Sequence, residues 1–343
     1  MRRLDEYRSA LLAAIPDVPD AELAAALEKG GPDFTSFIVD HGLGPLWHER
    51  MRGDEFHASR LSAEALYLAQ EHALKEIDSL LDGAGIEYAL IKGGASRLLL
   101  YDNPAIRACY DLDLLVRPSD RVRAASAMVA AGFSANPTVN NISRELVLSR
   151  GAVDVDLHWG LLREGRLRHD PADDMLARRR RVRNTWMLNA EDSLLVLLVH
   201  PAFAKHLSGW GMGLHRVVDI LEWLRTQSFD PARVREALQH DGVCTAAWAT
   251  LRWVELLAQP HALPELGQLL DDLGPGRLRR AWLEHWLCND LPERTSDSRW
   301  VRLLGFTSFL HDTPGDAVRA LMGRRRAHRR RNADLAAFRA LLG

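Results

Sequence analysis

Cysteine and lysine are both scarce in this chain of 343 residues. The three cysteines, Cys109, Cys244 and Cys288, are odd in number and far apart, which points to a reducing compartment and gives no zinc-ligand spacing. Only four lysines stand against forty arginines. A bias of that size follows from genomic base composition, so runs of arginine carry less functional weight here than usual. No apolar run is long enough to cross a bilayer, and the opening "MRRLDEYRSALLAAIPD" lacks the apolar core of a signal peptide, so a cytoplasmic protein is expected. Neither sign of charge dominates. At a net charge of -2 the chain as a whole is no polyanion binder, and affinity for nucleic acid or membrane would have to come from a local patch. No fixed-period repeat is present.

What is present is the composition of a globular protein, 47% hydrophobic and 26% charged, with length enough for two or three domains. Residues 1–82 carry apolar residues at three- and four-residue spacing, ending at Gly83 and Gly85 as a long helix would. Over residues 83–165 the pattern changes to short apolar strands alternating with helices. "IEYALIKGG", "DLDLLVRP" and "AVDVDLHW" read as strands, with "SDRVRAASAMVAAGF" a helix capped by Ser119 or Asp120 and ended by Gly132. Residues 166–343 return to helical patterning, with Asn189 a cap for the run Leu194 to Val199 and most of the ten tryptophans as packing residues. The expected fold is α+β, a small mixed sheet flanked by N-terminal helices and a larger C-terminal helical region.

Two stretches carry chemistry. The strand ending in Gly93-Gly94 and entering a helix presents bare backbone N–H groups, an arrangement suited to phosphate. In "DLDLLV" Asp111 and Asp113 alternate, so both carboxylates leave one face of the strand about 6 to 7 Å apart. Like charges at that separation repel unless a cation, a base or water lies between them. "DVDLHW" on a later strand offers a third carboxylate and a fourth, Asp154 and Asp156. Hard divalent cations such as Mg²⁺ take carboxylate oxygens together with substrate phosphates, and two such ions suit an in-line displacement at phosphorus.

The order of Gly93-Gly94, Asp111-x-Asp113 and an aspartate on a later strand resembles the nucleotidyltransferase signature of the DNA polymerase beta superfamily. "LIKGGA", "DLDLLV" four residues after Arg107, "AAGF" and "DLHW", with "HGLGPLW" upstream and "EDSLLVLLVH" and "VVDILEWL" downstream, are similar to a poorly characterised bacterial family of such enzymes. The resemblance spans about residues 40–225. It implies two metal ions, Mg²⁺ or Mn²⁺, held by Asp111, Asp113 and Asp156. It also implies a nucleoside triphosphate, ATP first among them, faced by Gly93 and Gly94, and transfer of its nucleotide to an acceptor hydroxyl or amine. Asp154 shares a face with Asp156 and remains an alternative.

Around that set, Lys92 is a candidate to neutralise phosphate, and Arg107 either contacts phosphate or holds an aspartate through a forked pair. His158 follows Asp156 by two and faces the same way, either as an accessory group or as a structural histidine. Lys205, with His200, His206 and Asp219, belongs to the helical part expected to close over the nucleotide. His200 and His206, six apart with Pro201 between them, make no metal pair. The basic runs "ARRRRVRN" (177–184) and "GRRRAHRRRN" (323–332) are either solvated helix faces or a backbone-binding surface for nucleic acid. The acceptor stays open between small molecule, peptide and protein. RNA ends, or a fold that has lost turnover and only binds, are the competing readings.

Overall fold

The computed structural model describes residues 2–136, 144–209, 213–261 and 263–339. The fold is α+β. Its centre is a seven-stranded mixed sheet of order β3-β4-β5-β2-β1-β7-β6, built from β1 (Tyr88–Ile91), β2 (Asp111–Val116), β3 (Ser134–Asn136), β4 (Glu145–Arg150), β5 (Val153–His158), β6 (Arg180–Val182) and β7 (Thr185–Met187). The central pairing is mixed: β2 runs antiparallel to β1 and parallel to β5.

Period-two alternation divides this sheet between two cores. Leu90, Leu112, Leu114, Val155 and Leu157 face one side, where α4 (His57–Gly83) and α6 (Arg121–Ala130) cover them. Ala89, Ile91 and Leu115 face the other, under α8 (Ala190–Ala204) and the helix His215–Thr226. The helix ends follow the expected chemistry. Gly85 and Gly132 take positive φ after α4 and α6, and the Asn189 side chain accepts a hydrogen bond from the Asp192 N–H at the start of α8. Neither Ser119 nor Asp120 makes a side-chain cap for α6; Asp120 occupies the cap position and accepts from Arg123 instead.

Two features depart from the sequence reading. The hairpin β6–β7 lies beyond residue 165, where the strand pattern ends, yet it joins the sheet edge beside β1. Three arginines of the run 177–184, read as a solvated helix face or a nucleic-acid surface, lie in or just before this hairpin and are tied to acids: Arg178 to Asp192, Arg179 to Glu87, and Arg181 to Asp78 and Asp82. The N-terminal helices also share one core with the C-terminal region. Tyr7, Leu11 and Trp47 pack in the same cluster as Trp248, Trp253 and Leu257, and Arg8 Nε donates to Leu256 O at 2.9 Å.

The second basic run does lie on a helix, Pro314–Arg339; the side chains of Arg329, Arg331 and Asn332 fall outside the described residues. This helix crosses the loop after β5 at a glycine-on-glycine contact. A Cβ on Gly323 would come within 2.2 Å of Glu164 O and 2.8 Å of Gly165 Cα. Both obstacles are backbone and cannot rotate away. Gly323→Ala is therefore expected to push the helix off the loop and destabilise the protein by about 1–3 kcal/mol, read as a lower urea midpoint. An unchanged midpoint would mean that the contact is dispensable.

Candidate active site

At the end of β1 the chain turns directly into α5 (Lys92–Leu100). Ile91 is extended and Lys92 adopts φ 52, a left-handed conformation that costs a residue with a side chain about 1–3 kcal/mol. The result places the lysine over the neighbouring strand. Lys92 Nζ lies 2.6 Å from Asp113 Oδ1 and 3.0 Å from His158 Nε2. His158 Nε2 is in turn 2.7 Å from the same Asp113 oxygen. A single ring nitrogen can donate to Asp113 or accept from Lys92, but not both at once.

The register of β2 against β5 decides which carboxylates meet. Asp113 pairs with Asp156 and Asp111 with Asp154. Asp156 and His158 line the cleft above β2, together with Asp111 and Asp113. Asp154, level with Asp111, is exposed and accepts a hydrogen bond from Ser149 Oγ at 2.6 Å; it is not among the residues lining the cleft. Asp113, Asp156 and His158 each offer a ligand atom within 4.8 Å of the other two. Asp111, expected in the same metal set, lines the cleft one alternation earlier on β2 and stands outside that closest triplet.

The cleft encloses about 240 Å³. Its acids come from the sheet: Asp111, Asp113 and Asp156, with Glu145 from β4. Most of its cations come from elsewhere: Lys205 just past α8, Arg216 on the helix His215–Thr226, and Arg163 and Arg166 in the loop after β5. Burial and neighbouring charge tune these groups. Burial, reinforced by Asp113, raises the Asp156 carboxyl to about 6 and also raises Asp111. For Asp113 burial acts in the same direction, but Lys92 and His158 outweigh it and hold the carboxyl well below its usual range. Among the cations burial lowers Lys205, with Arg216 adding to the effect. Arg166 is lowered to about 10 by burial and by Arg163. Acids crowded on the sheet and cations crowded in from other elements are the arrangement expected of a site that takes both a cation and an anion.

Other sequence candidates fall in different places. Gly94 is buried, and a Cβ there would come within 2.9 Å of the Leu90 side chain; a Cβ on Gly93 would sit 3.2 Å from the Arg107 guanidinium and Cys109 Sγ. Close packing of α5 on the sheet needs both glycines, and neither lines the cleft. Arg107 has the second of its two expected roles. Its guanidinium forks onto Asp219, with Nε and Nη2 at 3.0 and 2.6 Å from the carboxylate oxygens, and it is buried away from the cleft lining. Asp219 is thereby a structural partner and not part of a closing face. His200 lines the cleft, whereas His206 takes φ 55 and bonds to Thr307 Oγ1 at 3.0 Å. The sequence reading missed Glu145, Arg163, Arg166 and Arg216. Each sits in an unremarkable local pattern, and only tertiary packing brings them together.

A family model described as an uncharacterised nucleotidyltransferase matches residues 36–259, just under two thirds of the chain. No curated protein and no solved structure matches it. Among the described residues no helix is long and apolar enough to cross a membrane.

Proposed function

The chain belongs to the uncharacterised nucleotidyltransferase family, and we propose that it moves a nucleoside monophosphate, AMP from ATP first among them, to an acceptor hydroxyl or amine with release of pyrophosphate. The observation that carries this reading is the meeting of acids and cations in one cleft. Asp113 and Asp156 stand in register on β2 and β5, with Asp111 one alternation earlier, and Lys205, Arg166 and Arg216 reach the same cleft from other elements.

The donor set fits a hard divalent cation, since oxygen ligands dominate and Asp113 and Asp156 are adjacent; the Lys92 ammonium now on Asp113 would give way to it. Asp111, Asp113 and Asp156 are the residues that would hold Mg²⁺ or Mn²⁺. When bound, the ion would offset the negative charge of the triphosphate and make its α-phosphorus more open to attack. The chain's own groups do the rest. Lys205, Arg166 and Arg216 bind the phosphates and hold the chain of phosphoryl groups in line. Lys92, released from Asp113, moves its charge to a phosphate oxygen. Asp156 accepts the proton of the acceptor hydroxyl as its oxygen attacks the α-phosphorus. The new P–O bond forms while the bond to the β-phosphate oxygen breaks, and pyrophosphate departs with its electron pair. Positioning and charge neutralisation suffice, with no covalent enzyme intermediate.

Nucleotide binding is expected to need a divalent cation, because a triphosphate and three carboxylates otherwise repel. Calorimetry with ATP, GTP, CTP and UTP, each with Mg²⁺ and again with excess chelator, checks this. Equal affinity under the two conditions would remove the metal from the reading.

A further inference from the structure

A second cavity, of about 470 Å³, opens beside the cleft and shares Leu161, Leu162 and Arg163 with it. Part of its lining is one stripe of the helix Pro314–Arg339, formed by Arg319, Gly323, Arg326 and Arg330. Spacings of four, three and four residues keep these positions on one helical face. The contact of Gly323 with Glu164 and Gly165 brings that face in at backbone distance.

Seven arginines line this cavity, against only two acids, Glu164 and Asp170. Both acids are engaged: Asp170 pairs with Arg144 at 2.5 Å and Glu164 lies 3.5 Å from Arg330. Buried Asp316 serves Arg168 and Arg319 together, at 2.8 and 2.5 Å. Arg163 and Arg326 make no ion pair or hydrogen bond through their guanidinium groups among the described residues. Arg319 Nη1 is buried with no hydrogen-bond partner. Leaving a charged N–H group buried and unmade is costly. A concave surface with this excess of guanidinium focuses positive potential, and planar forked donors match an oxyanion. Trp159, in the wall, is buried against Phe338 and presents no open face for stacking a base.

We propose that this cavity binds the anionic group, phosphate or carboxylate, of a small acceptor whose nucleophile reaches the cleft across Leu161–Arg163. The assignment to an acceptor rests on the nucleotidyl-transfer reading; the assignment of an anion site does not. Calorimetry on the full chain with inorganic phosphate and with citrate, as separate probes, tests it. At least one probe should bind saturably to the unaltered protein. Its affinity should fall about tenfold or more in the double variant Arg326→Gln/Arg330→Gln and stay unchanged in Arg277→Gln, an exposed arginine elsewhere. Which probe binds more tightly distinguishes phosphate from carboxylate chemistry. Affinity for ATP with Mg²⁺, measured on the same proteins, should not move, since neither altered residue lines the cleft. Absence of saturable binding by both probes, or an equal loss in Arg277→Gln, overturns the proposal. So does a double variant that loses only affinity for single-stranded RNA, which would make this a nucleic-acid surface. Failure of the nucleotide reading registers separately, as absence of ATP binding in the unaltered protein.

Discussion

Asp156→Asn is expected to lower turnover by about three orders of magnitude or more, the scale of losing a principal charge-stabilising group, while Asp154→Asn costs about tenfold or less. Asn keeps the size of Asp and removes the charge that would hold a cation and take the acceptor's proton. The two residues share a strand face, and only the pairing of β5 with β2 separates them. That pairing sets Asp156 beside Asp113, while Asp154 is exposed and bonded to Ser149. The measurement is pyrophosphate release with ATP, beside a urea curve for each variant to show that the fold survives. If Asp154→Asn proves to be the inactive protein and Asp156→Asn the mild one, the cleft has been read one alternation away from where it works. If both remain active, β5 contributes no essential carboxylate.

The second large effect is on stability. Asp219→Ala should destabilise the protein by about 3–5 kcal/mol, because it leaves the buried guanidinium of Arg107 without its counter-charge. Burial opposes the charge on Arg107, and Asp219 outweighs it, so the arginine is held above its ordinary range. The Tyr101 hydroxyl, which donates to the same carboxylate at 3.0 Å, loses its acceptor as well. Arg107 also donates to the Ala108 carbonyl, its own neighbour, which cannot replace an anion. Replacing both partners, Arg107→Met with Asp219→Leu, should recover most of the loss, since two apolar groups leave no orphaned charge. Equilibrium urea unfolding of the three proteins checks this. A double variant as unstable as the single one would show that the pair does more than satisfy itself.

The contrast between these two predictions reflects what a linear pattern conveys. "DLDLLV" and "DVDLHW" declare their faces through alternation, which needs no knowledge of the rest of the chain. Which aspartate of β5 stands beside Asp113 depends on interstrand register, a relation between segments about forty residues apart. Arg107 sits four residues before Asp111, and its proximity in sequence suggested a place in the cleft; its partner Asp219, on a helix more than a hundred residues later, turns it the other way. The glycines were legible as a demand for closeness, but what comes close is the sheet beneath α5 and the Arg107 side chain. The cations of the cleft were the least visible part. Lys205 stood out through the rarity of lysine, whereas Arg163, Arg166 and Arg216 are three among forty arginines.

The core that the first helices share with the second half of the chain bears on how the protein is made. Helix α1 (Arg2–Leu11) finds the backbone partner of Arg8 at Leu256, 248 residues downstream. At about 5–20 residues per second during synthesis, α1 leaves the ribosome some tens of seconds before that partner exists. Throughout that interval Tyr7 and Leu11, fully enclosed in the finished protein, have only the early helices to lie against. The sheet, whose strands all fall between residues 88 and 187, can form in the meantime. The contact between the beginning of the chain and its second half can thus be made only after the centre has been synthesised. Long sequence separation of this kind slows folding.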